Sequence, residues 1–306
     1  MRIAILVTLL FLLLVPALAQ EVSPPENARI IPNVPNGVVL QWPGSPKGRY
    51  FLQIYTGQQV VAVEQEVTGN SVVVPLRPGL GYQWKVNQVN KDGGFQEIVP
   101  TRGFQVVTDT QLLLVGATGA KGGVGNRRSG YVGLDGGSGG AGFNLTATLT
   151  PVGRYVSLAI SGAPANRLFY FAPGAGPLIL GSREGQGGSG GPGYAGRNAD
   201  FNYQTGYVTL PEPGGDGGNG GDGGPGGDIT VISNGLDVSD FLTFDTGGGD
   251  GGAAGRGGPG GTGVVIPVQW QNSRLPQGFG YGTVRAPNGF DGGPGRPGPD
   301  GRVFIR

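Results

Sequence analysis

The stretch Gly214-Gly-Asp216-Gly-Gly-Asn219-Gly-Gly-Asp222-Gly-Gly-Pro225-Gly-Gly227 decides the reading of this chain. Glycine fills two of every three positions, and a polar residue or proline fills the third. A period of three is the period of a polyproline-II helix, distinct from the 3.6 of an α-helix and the 2 of a β-strand. Such a helix makes no internal hydrogen bonds, so its N–H and C=O groups point sideways toward neighbouring chains. Close approach of those chains requires edges without a Cβ. The pattern therefore predicts a bundle in which this tract contacts neighbours along two bare edges and turns its third, polar edge to water. Five further tracts carry glycine at every third residue: 116–125, 133–142, 187–196, 249–261 and 289–301. The last reads G-X-Y, with one bare edge, and is expected at the periphery.

Apolar segments separate the tracts: 112–115, 143–149, 155–160, 168–171, 229–232, 241–244, 264–270 and 302–305. They read as strands that supply the hydrophobic core glycine cannot. Strand and polyproline-II rises are close, ~3.3 and ~3.1 Å per residue, so the two can run alongside each other.

Working outward, glycine occurs 66 times in 306 residues, and Gly and Pro together make up about 30% of the chain. Only ten glycines precede residue 111, which sets a domain boundary near residue 110. Cysteine and histidine are absent, which excludes disulfides, thiol nucleophiles, Cys/His zinc sites and His general bases. With a net charge of +1, the composition points to no nucleic-acid partner. Residues 1–19 have the layout of a secretory signal peptide: Arg2, an apolar run from Ile3 to Val15, then Pro16-Ala-Leu-Ala19. No later stretch is long enough to span a bilayer. The expected location is extracellular or at the cell surface, with the periplasm as the other compatible compartment. Three parts are expected: signal peptide 1–19, a β-domain 20–110, and a glycine-rich domain 111–306.

Residues 20–110 read as short strands separated by turn signals: 38–42, 50–55, 60–66, 71–74, 82–90 and 104–107. That spacing suggests an all-β sandwich. The stretch Leu76-Arg-Pro78-Gly-Leu80-Gly-Tyr82-Gln-Trp84-Lys-Val86, with Trp42 upstream, Pro24-Pro25 at the start and a turn at Asn90, Gly93 and Gly94, resembles fibronectin type III domains over about 24–108. The resemblance implies a sandwich with Tyr82 as its tyrosine-corner residue and Trp42 in the core, serving as a spacer or binding module. No Arg-Gly-Asp triplet is present.

A second resemblance rests on Leu112-Leu-Leu-Val-Gly116-Ala-Thr-Gly119-Ala-Lys-Gly122, on Gly139-Gly-Ala-Gly-Phe143-Asn-Leu-Thr-Ala-Thr-Leu149, and on Tyr155-Val-Ser-Leu-Ala-Ile160. These look like the glycine-rich domain of secreted bacterial surface proteins, and like the glycine-rich region of anaplastic-lymphoma-kinase-type receptors. Springtail antifreeze proteins and phage tail-tip adhesins also use polyglycine bundles. The fold class expected is mainly β: a fibronectin-III-like sandwich followed by a polyproline-II bundle with interspersed strands.

Candidate chemistry is sparse. Gly188-Ser-Gly190-Gly-Pro-Gly193 matches a nucleotide-binding fingerprint only because a glycine period of three generates it. Asp216, Asp222, Asp228 and Asp250 read as solvated positions rather than metal ligands or general acids. A calcium-binding nonapeptide pattern fails at Thr230 and does not repeat. No catalytic residue, metal site or cofactor is assigned, and the chain is read as a non-enzyme. Irregular insertions are the places for a ligand, because exposed loops on rigid scaffolds carry function. They hold Arg127, Arg128 and Tyr131; Tyr203 and Tyr207; and Phe279 and Tyr281. Tyr and Arg beside Gly and Asn suit binding loops.

The function expected is adhesion, matrix building or recognition, with other surface proteins or glycans as partners and self-association among the options. The alternatives are a structural filament or envelope component, an accessory module of a carbohydrate-active enzyme, and an ice-binding protein.

Overall fold

A computed structural model describes residues 22–33, 37–57, 59–108, 111–126, 131–162, 164, 166–202, 204–205, 207–264 and 285–306. The fold is mainly β, with a single 3₁₀ turn at Val238–Asp240 among the described residues. The chain divides into two compact units. The first takes the described residues up to Thr108 together with 150–158 and 168–176; the second takes the rest.

The first unit is built on alternation. In β3 (Arg49–Thr56), Tyr50, Leu52 and Ile54 are buried; in β6 (Gly81–Val89), Tyr82, Trp84 and Val86 are buried. Strands β3 and β6 pair antiparallel, and β4 (Val61–Thr68) flanks β3 while β7 (Phe95–Val106) flanks β6. Beyond β7, strand β1 (Ala28–Ile31) pairs parallel with β7 on one side and with β11 (Arg167–Phe171) on the other. A separate antiparallel pair joins β2 (Gly37–Gln41) and β5 (Ser71–Pro75). Between them lies one apolar core that includes Trp42, Tyr50, Leu52, Trp84 and Val99. Tyr155, at the start of β10 (Tyr155–Ser161), reaches this core and donates its hydroxyl to Val39 O at 2.6 Å. Burial pushes that phenol above the ordinary tyrosine range.

The strands expected at 38–42, 50–55, 60–66, 71–74 and 82–90 form, with small shifts at their ends. The strand expected at 104–107 is the end of the twelve-residue β7. Strands β1 and β12 (Leu178–Arg183) were not expected.

In the second unit, six glycine tracts lie in two rows, and nearly every contact between them is a backbone hydrogen bond repeating every three residues. Tracts 1 (116–125), 3 (185–198) and 5 (247–262) make one row. Tract 1 donates to tract 3 from the amides of Gly119, Gly122 and Gly125, with Gly116 donating to Arg183 just before it, and tract 3 donates to tract 5 from Gly187, Gly190, Gly193 and Gly196. Tracts 2 (131–142), 4 (212–227) and 6 (286–301) make the other. There Gly133, Gly136 and Gly139 donate to tract 4, and Gly214, Gly217, Gly220 and Gly223 donate to tract 6. Within a row both partners climb in number, so neighbours are parallel. Between rows one climbs as the other falls: Gly185, Gly188 and Gly191 donate to Gly140, Gly137 and Leu134, so the rows are antiparallel.

Glycine is needed here for proximity. A Cβ at Gly221 would meet the carbonyl carbon of Gly137 at 2.5 Å and Gly136 O at 2.7 Å. One at Gly188 would meet the carbonyl carbon of Ala120 at 2.6 Å and Gly119 O at 2.7 Å. Each bare edge sits in the groove between two neighbours, so tract 4, with two bare edges, touches tracts 2, 3, 5 and 6 rather than two partners. Tract 6 ends its row, and Gly293 on its outer side has open space apart from Asn219 Oδ1 at 3.4 Å. Tract 1 ends the other row with Ala117 and Ala120 exposed on its outer edge.

Each row is continuous with three neighbouring parallel strands. Strand β8 (Gln111–Val115), β12 and β16 (Leu242–Asp245) lead into tracts 1, 3 and 5 and stand in the same order. Tracts 2, 4 and 6 lead into β9 (Leu145–Val152), β15 (Ile229–Ile232) and β17 (Val303–Ile305), again in the same order. Where glycine gives way to alternating apolar residues, Leu145, Ala147, Leu149, Leu178, Leu180, Ile229, Val231 and Leu242 are buried. The period switches from three to two within one or two residues. The strand expected over 264–270 lies, from 265 on, outside the described residues.

The polar third positions of tract 4 do more than face water. Asp216, Asn219 and Asp222 are exposed, yet their side-chain oxygens accept the amides of Phe290, Gly293 and Arg296 at 2.7–2.8 Å. Asp228, two periods beyond Asp222, accepts Arg302 N at 2.8 Å. The remaining position is Pro225, and the residue that would stand opposite is Pro299, which has no amide to satisfy. Tract 2 repeats the device: Asp135 Oδ1 accepts Asn219 N at 2.6 Å and Asn144 Oδ1 accepts Asp228 N at 3.0 Å. Asn288, Asp291 and Asp300 of tract 6 accept the amides of Gly260, Gly257 and Gly248 in tract 5. These side chains supply the acceptors that a further tract would have supplied. The same accounting removes the fingerprint at 188–193: the amides of Gly188, Gly190, Gly191 and Gly193 are all committed to neighbouring tracts and cannot cradle a phosphate.

Candidate functional site at the connector end of the bundle

Because odd tracts run one way and even tracts the other, the segments joining tract 1 to 2, tract 3 to 4 and tract 5 to 6 all leave from the same end. Their described flanks meet there. Gly125 N bonds Pro192 O, Gly215 N bonds Tyr194 O, Gly261 N bonds Glu212 O, and Thr262 bridges Arg285. The three insertions singled out from the sequence are these three segments.

Tyr131 opens tract 2. Its amide donates to Asn126 O at 2.8 Å across the turn, and its φ of +68° lies in the left-handed region. That conformation disfavours a Cβ by roughly 1–2 kcal/mol, and the surrounding bonds hold it. Tyr131 O accepts the amide of Tyr194 at 3.0 Å, and the two rings lie 5.4 Å apart at 43°. This tilted pair is worth about 0.5–1.5 kcal/mol beyond area burial. Tyr194 is 41% exposed.

Tyr194 was not among the residues expected, and its signal is readable afterwards. Positions 185, 188 and 191 of tract 3 are glycine, and 194 continues their ladder as tyrosine. The facing positions 140, 137, 134 and 131 of tract 2 turn from glycine to leucine and tyrosine. The bare edge ends where the bundle ends.

The second connector folds on itself. Strands β13 (Asp200–Phe201) and β14 (Val208–Thr209) pair antiparallel, and Asn202 Oδ1 accepts the amides of Gln204 and Thr205 at 2.9 and 3.1 Å. Phe201 is buried as its anchor. Tyr207, whose O accepts Asn202 N at 2.9 Å, is 71% exposed and makes no ring contact with the Tyr131–Tyr194 pair. Asn198 ties the ends of tracts 3 and 5 together by accepting Thr262 N at 2.9 Å. Arg127, Arg128, Tyr203, Phe279 and Tyr281 lie outside the described residues, as does the segment 1–19 expected to be a signal peptide.

The described part of this end thus presents exposed aromatic rings and amide side chains on a hydrogen-bonded base. Rings so placed can stack on the apolar face of a sugar or pack against a peptide. Among the described residues no group of three or more His, Cys, Asp or Glu side chains is placed to hold a metal. No described helix is long and apolar enough to cross a membrane. Neither the family models nor the curated proteins contain a match to this chain.

Proposed function

We propose that this chain is a secreted or surface-displayed, non-enzymatic recognition protein, in which a polyproline-II glycine bundle carries a binding surface at its connector end. The observation that carries the reading is the meeting, at one end, of the described flanks of the three irregular connectors, with the exposed Tyr194 ring against Tyr131. The ligand class is a surface glycan or a partner protein with a flat apolar face. The three-residue hydrogen-bond period and the unbridgeable closeness of tract glycines support the polyproline-II assignment.

The fibronectin-III reading of the first unit draws support from its strand pairing, β4-β3-β6-β7 beside β2-β5. It draws support also from Tyr82, whose hydroxyl accepts Arg77 N at 2.9 Å and donates to Arg77 O at 3.0 Å. On this reading the sandwich is a spacer module and the bundle displays the site.

The test is a glycan and matrix-protein array probed with labelled residues 20–306, repeated with a Tyr194→Ala/Tyr207→Ala double variant. Neither side chain is in a core, so the fold should persist, with the melting point lowered only by loss of the Tyr131–Tyr194 ring contact, about 0.5–1.5 kcal/mol. The expected result is saturable binding that falls at least about tenfold in the variant, as for loss of aromatic hot-spot residues. Binding untouched by the double substitution overturns the site. Thermal hysteresis or concentration-dependent fibres in place of array binding overturns the recognition role.

A further inference from the structure

A second site stands at the opposite end of the odd row, where strands become tracts. A cleft of about 400 Å³ opens there, lined by Val115, Thr118, Arg183, Glu184, Gln186 and the segment 247–250. Glu184 is the first residue after β12, at the switch from period two to period three. It is only 6% exposed. Its Oε2 is enclosed without a hydrogen-bond partner. An uncompensated carboxylate in such a place is among the costliest groups a fold can hold. Gly249 packs against it, and a Cβ there would meet Gly185 O at 2.5 Å as well as Glu184 Cγ at 2.8 Å and Oε1 at 3.0 Å.

The charges around it are unbalanced. The one cation in the lining, Arg183, is already engaged, with Nη2 2.6 Å and Nε 2.9 Å from Asp245 Oδ2. Asp250 adds a second, exposed carboxylate. The cleft therefore carries net negative charge, and the Glu184 carboxylate in its wall has an oxygen without a hydrogen-bond partner.

We infer that this cleft binds a primary ammonium group, which donates to Glu184 and is held by the surplus charge of Asp250. A metal ion fits less well. The cavity is far larger than an ion, the described residues offer no third carboxylate beside these two, and Val115 with the Thr118 methyl suits a carbon frame. Two sources carry this chemistry: a lysine side chain of a partner protein, and an amino sugar. The site is separate from the connector end, and its failure would leave the proposed function standing.

The experiment is a ¹H–¹⁵N titration of residues 20–306 in low salt, with Nα-acetyl-lysine amide in one arm and glucosamine in the other. N-acetylglucosamine, which lacks the ammonium, is the control. Millimolar binding is detectable with ligand to about 50 mM. The expected result is saturable shifts of the Gln186 and Gly249 amides with at least one amine and none with the control. Glu184→Gln should weaken binding at least about tenfold, since truncating one partner of a buried charge pair falls mainly on affinity. Asp250→Asn should weaken it less.

The tract amides of Glu184→Gln report whether the bundle is intact, and Asp250→Asn, a change on an exposed side chain, serves as the second variant. A tighter lysine arm identifies a protein partner; a tighter glucosamine arm identifies a glycan. Absence of saturable shifts with both amines overturns the inference. So does equal binding in Glu184→Gln with an intact bundle, or saturation by Ca²⁺ alone.

Discussion

Replacing Gly221 by alanine adds one methyl group to the centre of the bundle, and the cost follows from the geometry. The new Cβ would stand 2.5 Å from the carbonyl carbon of Gly137 and 2.7 Å from Gly136 O, with Gly137 O closer still. Ordinary contact begins near 3.4 Å, so tracts 2 and 4 must separate by about 1 Å. All the obstructing atoms are backbone, and no rotamer change relieves them.

The separation strains Gly136 N→Asn219 O and Gly139 N→Asp222 O, both at 2.8 Å, which join tracts 2 and 4 on either side of Gly221. Overpacking alone costs roughly 1–3 kcal/mol, and each buried polar group left unpaired about 1–3 more. The expected destabilisation is about 3–5 kcal/mol. Gly293→Ala is the matched control. It meets only Asn219 Oδ1 at 3.4 Å on an exposed edge, and should fall within about 0.5 kcal/mol of wild type. Urea unfolding followed by amide exchange of the tracts reads both variants. If Gly221→Ala costs less than about 1 kcal/mol, the reasoning that proximity demands glycine is wrong.

Two further outcomes follow from side chains. Asp222→Ala removes the acceptor of Arg296 N. That amide should exchange faster, with a cost of about 0.5–1.5 kcal/mol, while the Gly295 amide, bonded to Gly252 O, stays protected; Asp222→Asn should restore the protection. The Arg183 guanidinium bonded to Asp245 holds its carboxyl below the usual carboxylate range, against an opposing effect of burial. A depressed carboxylate stabilises the fold above its unfolded value near pH 3.9, and that contribution is lost as pH falls through the lower folded value. Arg183→Gln should return the Asp245 midpoint toward the ordinary range in an NMR titration, and a midpoint that does not move refutes the pairing.

Much of this architecture was legible because its signals are local. Tyr50, Leu52 and Ile54 alternate within one strand, and the glycine period shows within one tract. What escaped depends on distant partners. Ala28–Ile31 is four residues between prolines, and becomes a strand only through parallel pairing with β7 and β11. Leu178–Arg183 ends in Gly-Ser-Arg and takes its strand character from β8 and β16. The aspartates of tract 4 look merely solvated, because their use is set by amides 74 residues away. At the connector end, the position of Tyr131 was readable as an irregular insertion. Its partner Tyr194 was hidden inside a glycine tract, where only the inter-tract register gives it meaning.

The pairing of Pro225 with Pro299, and of Asp and Asn with free amides, bears on how such a molecule can change length. Sliding one tract by three residues restores every bare edge to its groove, so glycine alone leaves the alignment degenerate. The prolines and capping carboxylates break that degeneracy much as mismatched teeth stop a zipper from closing one notch off. Insertions and deletions inside a tract are therefore quantised. One or two residues drive a side chain into a neighbouring backbone along the whole remaining tract. Three residues leave the interior intact and merely move the outer caps, provided that the adjacent tracts change by the same step.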